Sequence, residues 1–115
     1  MQARELQERF ERMDWRQQLG NLASTLARLS TRAPLAEYDA LVVNLLQEAA
    51  LVIEWSAAKA PQHALLQLAT MQKEILAWQR LWPLAAARPL LALYARNRSD
   101  LLLQMAGLVE KSSSA

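Results

Sequence analysis

Apolar residues recur at steps of three and four along most of this chain, and four prolines cut the recurrence into segments. Trp15, Leu19, Leu22, Leu26 and Leu29 form the first stripe. Leu35, Tyr38, Val42, Leu45, Ala49, Val52 and Ser56 form the second, and Ala64, Leu68, Met71, Ile75, Trp78 and Trp82 the third. Leu90, Leu91, Tyr94, Leu101, Leu102, Met105, Leu108 and Val109 form the fourth. Spacing of this kind puts each set on one face of an α-helix. Pro34 and Pro61 are read as first-turn residues, where a missing N–H leaves no helical bond unmade. Pro83 should stop the third helix, with Leu84 to Arg88 as a connector and the fourth helix starting near Pro89. Asp14 is placed to cap the first helix, with Gln17 three residues on as its reciprocal partner.

Four helices of similar length with short links predict an all-α, antiparallel up-and-down four-helix bundle. Residues 14–111 would make the bundle and 112–115 a frayed tail. Residues 1–13 form a helical N-terminal extension with two readings. It either continues the first helix backwards or breaks at Asp14, and then folds back over the bundle or stays mobile. Composition agrees: 44 of 115 residues are Ala or Leu, against only four Val and two Ile.

Leu6, Phe10 and Met13 fall out of phase with the stripe that follows them. On one continuous helix their line runs on through Gln17, Gly20, Ser24 and Ala27, almost opposite Leu22. A first helix apolar on two sides invites a partner, most simply a second copy of the chain. Leu51 and Trp55 add two apolar residues on the polar side of the second helix. The candidate partner interface is therefore Leu6, Phe10, Met13, Gly20, Ser24, Ala27, Leu51 and Trp55.

Polar residues also intrude on apolar faces: Arg98 with Asn97 beside it in the fourth helix, and Gln72 and Gln79 in the third. A buried arginine needs a carboxylate, and Glu48, at a comparable height in the second helix, is the expected one. The set reads as a polar layer that fixes register. Trp15 and Trp55 should lie at one bundle end, with Tyr38, Trp78, Trp82 and Tyr94 at the other.

The net charge is only +2, but it is unevenly spread. Residues 33–58 hold four acids and no base, whereas residues 59–115 hold seven bases and three acids. Lys73, Arg80, Arg88, Arg96 and Lys111 would be the phosphate contacts if the third and fourth helices met nucleic acid. Weighed against that is the acidic second helix.

Chemistry is sparse. Cysteine is absent, which excludes disulfides and thiolate ligands. The single histidine, His63, projects to solvent, and no metal or cofactor is expected. The glycines are isolated, so there is no phosphate loop. Glu48 and Glu54 are six residues apart and share no helix face. Arg96-Asn97 is similar to the opening of the helical HEPN ribonuclease motif, but Arg98, Ser99, Asp100, Leu101 and Leu102 follow where that motif needs a histidine. The expected function is non-catalytic: a cytoplasmic protein–protein interaction or adaptor module that self-associates, without a membrane segment. Nucleic-acid binding is the alternative, and a small apolar ligand at an aromatic bundle end a weaker one.

Overall fold

A computed structural model describes residues 3–108 of the chain. Five α-helices pack antiparallel, and there are no strands among the described residues. They are α1 (Ala3–Glu11), α2 (Trp15–Arg32), α3 (Asp39–Ala57), α4 (Gln62–Leu81) and α5 (Ala87–Met105). The four long helices are those read from the stripes, and α1 is the N-terminal extension. Residues 112–115, expected as a tail, lie outside the described residues, as do Val109 and Lys111.

The chain breaks at Asp14. Its carboxylate accepts the Gln17 N–H at 2.8 Å, and the Gln17 amide oxygen accepts the Asp14 N–H at 3.0 Å. Two N-terminal donors of α2 are thereby satisfied reciprocally. Of the two readings of residues 1–13, the broken one holds: α1 folds back over the bundle instead of lengthening α2.

Two helix starts differ from expectation. Pro34 does not open α3. Leu35 takes extended backbone, a single 3₁₀ turn follows at Ala36–Tyr38, and the α-helix begins only at Asp39. The chain has to reverse between α2 and α3, and the extended residue makes that reversal. Leu35 is consequently exposed, not part of the inward stripe. At the other connection α5 begins at Ala87, two residues before Pro89, and Leu90 also faces solvent. Pro83 ends α4 as expected, through a cis Trp82–Pro83 bond.

The core is built from Leu19, Leu22, Leu26 and Leu29 of α2, Val42, Leu46 and Ala49 of α3, Leu68, Met71 and Ile75 of α4, and Leu91, Ala95 and Leu102 of α5. α2 sits between α3 and α5, and α3 joins α2 to α4. The α2–α5 pair approaches most closely, because Ala23, Ala95 and Ser99 keep the seam thin. The Ser99 hydroxyl donates across it to the Ala23 carbonyl at 2.9 Å.

α4 and α5 stand further apart than the other neighbouring pairs of long helices. Long side chains span the gap. Trp78 and Tyr94 rings lie 5.7 Å apart, and Glu74 accepts from the Tyr94 hydroxyl at 2.9 Å and from Arg98 at 3.4 Å. Burial and the Glu74 carboxylate both hold the Tyr94 hydroxyl in its protonated form, raising its pKa well above the ordinary value.

The span Ala36–Ala57 is long and apolar enough to cross a membrane on length and composition, with a mean hydropathy of 1.3. Its inward side fills the core. Its outward side is apolar as well, since Val43 and Leu41 are exposed.

Candidate functional site

The α1–α2 corner gathers more of the singled-out residues than any other place in the fold. Phe10 is 2% exposed, covered entirely by its own chain. Its ring sits 5.8 Å from that of Trp55. The Gln18 side-chain amide donates to the Phe10 carbonyl at 3.0 Å. Lys59, in the α3–α4 link, donates its ammonium to the carbonyls of Glu11 and Met13, the second at 2.9 Å. A cation on those free carbonyls completes the end of α1 and complements its dipole. Along α1 the ion pair formed is Arg4–Glu8 at 3.6 Å.

This arrangement corrects the expected partner interface. Phe10 is core, so it offers no surface to a second copy. The cause is the kink at Asp14, which takes Leu6, Phe10 and Met13 out of line with Gly20, Ser24 and Ala27 and turns them onto α2 and α3. Gly20 is covered too: a Cβ there would lie 2.9 Å from Leu108 Cδ1. Ser24 and Ala27 stay exposed, and Leu51 is half-buried.

Between α1, α2 and α3 there remains a cavity of about 290 Å³. Leu6, Phe10, Met13, Val52 and Trp55 give it apolar walls. Arg9, Asn21, Arg28 and Glu48 give it a polar side. Glu48 Oε2 accepts both the Thr25 hydroxyl and Arg28, each at 2.8 Å. Four of the residues singled out as an interface thus meet around one hollow, together with Glu48.

The expected polar layer is also rearranged. Arg98 pairs with Glu74, not Glu48. The phase of the helices explains it: Glu48 faces α2, while Arg98 faces α4. Asn97 is exposed and Gln79 half-buried. The Gln72 amide oxygen is shut away from solvent with no hydrogen-bond donor.

The aromatic ends are as expected. Trp15 meets His63 edge-on at 6.0 Å near the end that holds Trp55. At the opposite end the Trp82 indole donates to the Asp39 carbonyl at 3.2 Å. Arg88 makes a two-point bond to the Asp39 carboxylate, at 2.6 and 3.1 Å. That bond holds the Asp39 carboxyl below the usual range against the opposing effect of burial, and raises Arg88. It fastens the start of α3 to the start of α5, a link with no sequence signal beyond charge.

The basic residues do not form one surface. Arg88 is occupied by Asp39. Lys73 and Arg80 are exposed on α4, whereas Arg96 lines a hollow with Ser30 and Thr31 of α2. Lys111 lies outside the described residues.

A further hollow of about 410 Å³ runs along the outside of the α3–α4 seam, lined by Ile53, Glu54, Ala57, Leu65, Leu68, Ala69 and Gln72. Periodicity marks one inward stripe per helix and therefore does not reveal this hollow. The remaining signal was the excess of Ala and Val on the outer side of the second helix. No known protein family model matches this chain, nor does any curated protein or solved structure.

Proposed function

We propose that this protein is a self-associating helical interaction module, in which the outer face of the α3–α4 hairpin meets the same face of a second copy. The observation that carries this reading is the apolar groove on that face, walled by Ile53, Ala57, Leu65 and Leu68.

Three further features favour a like partner. Ala57 and Ala69 are small and exposed, so another helix can come close. Leu65 is exposed within the groove, and Val43 and Leu76, exposed along the same side, extend the apolar strip beyond it. Charge is self-complementary: α3 contributes Glu54 and no base, whereas α4 carries Lys73 and Arg80. A two-fold axis sets α3 of one copy against α4 of the other, bringing opposite signs together. Soluble chains rarely leave such a strip open, since burial of apolar area stabilises by about 25 cal/mol per Å².

The test is sedimentation equilibrium of the full chain and of Ala69→Glu. Ala69 is exposed in the middle of α4, and Glu is a good helix former, so the monomer fold is kept. The wild type is expected to be a dimer at micromolar concentration and Ala69→Glu a monomer with an unchanged circular dichroism spectrum. A monomeric wild type overturns the reading, as does a variant that still dimerises.

A further inference from the structure

The cavity beneath α1 differs in character from the α3–α4 groove. It is partly enclosed, aromatic on one side, and charged on the other. Phe10 and Val52 are buried behind the apolar wall and Trp55 packs against the core, so the wall is preformed. At about 290 Å³ the space lies at the lower limit of ligand pockets, which run from about 300 to 1,000 Å³. That admits a small molecule and excludes a nucleotide or a large cofactor.

The polar side selects the sign of charge. Arg9, Arg28 and Glu48 line the cavity, two cations to one anion. Glu48 and Arg28 neutralise each other across 2.8 Å, and Thr25 takes up the same carboxylate oxygen. Arg9 forms no ion pair among the described residues and is exposed at the rim. An apolar body against Leu6, Met13 and Trp55, which keep part of their surface open, with one negative group reaching Arg9 matches the apolar wall and the unpaired cation of the lining.

We propose that this cavity is a binding site for a small anionic amphiphile, a medium-chain or arylalkyl carboxylate. The apolar part displaces water from the aromatic wall, and the carboxylate pairs with the Arg9 guanidinium in a charge-assisted hydrogen bond. α1 forms one side of the cavity and is held by the Phe10–Trp55 contact and the Lys59 clamp, so occupation also tightens α1 on the bundle.

The experiment uses the full chain labelled with ¹⁵N and titrated with sodium octanoate, observed through the four tryptophan indole N–H signals. Trp78 and Trp82, at the far end, are internal controls. Octanoate should move the Trp55 signal saturably and leave Trp78 and Trp82 in place. Octanol and octylammonium should bind more weakly, and Arg9→Gln should weaken octanoate by about fivefold, the size of one partly solvated ion pair. Arg9 is exposed, so the variant folds. The proposal is overturned if octanoate causes no saturable shift at millimolar concentration or if the shifts spread over all four indoles. It is equally overturned if octanol matches octanoate or if Arg9→Gln binds octanoate unchanged.

Discussion

The Ser99 hydroxyl and the Ala23 carbonyl, 2.9 Å apart, mark the closest seam in the molecule. The bond forms because neither residue has a side chain large enough to hold α2 and α5 apart. Ser99→Ala removes one buried hydrogen bond and leaves the spacing intact. It is expected to cost about 1 kcal/mol in urea unfolding, whereas Ser99→Leu forces the helices apart and costs about 1–3 kcal/mol or more.

Phe10 tests how α1 is attached. Phe10→Ala is expected to release α1 while α2 to α5 stay folded, lowering stability by about 2 kcal/mol. Hydrogen exchange at α1 amides should rise sharply, and the Trp55 emission should shift to the red. A variant whose α1 amides remain protected would contradict the packing described.

Gly20 lies in the middle of α2, where glycine costs about 1 kcal/mol relative to alanine. A new Cβ would meet only Leu108 Cδ1, the far end of an exposed side chain that can swing away. Gly20→Ala should therefore raise the thermal midpoint, by up to about 1 kcal/mol in stability.

The Asp39–Arg88 bond predicts the acid response. Asp39 has a lowered pKa in the folded chain, so between the folded and unfolded values the unfolded state binds more protons, and stability rises with pH there. The contribution is complete above the unfolded carboxyl value of about 4 and is lost as pH falls through the folded one. Asp39→Asn should flatten the dependence of the thermal midpoint on pH in this acid range and leave the other carboxylates' contributions unchanged.

Tyr94 gives a spectroscopic check. Its hydroxyl donates to Glu74 at 2.9 Å, and its pKa is raised. In alkaline titration followed by ultraviolet absorbance, Tyr94→Phe should remove a tyrosinate step that lies above the ordinary value of about 10.

The sequence by itself determined the four long helices and the inward face of each over most of its length, though not the ends of the stripes, where Leu35 and Leu90 are exposed. Leu19, Leu22, Leu26 and Leu29 are all buried, as their spacing requires, and the Asp14–Gln17 cap is present as written. Periodicity reports the face a residue occupies on its own helix, because that depends only on local geometry. Which helix lies opposite, and at what height, depends on how all the side chains fit together. Tertiary packing alone thus gave Arg98 to Glu74, closed Asp39 on Arg88, and turned Phe10 from a surface residue into core. The bend at residues 12–14 made the largest difference: it broke one long helix into two, spent an apparent interface on the molecule's own interior, and left a hollow beside Trp55.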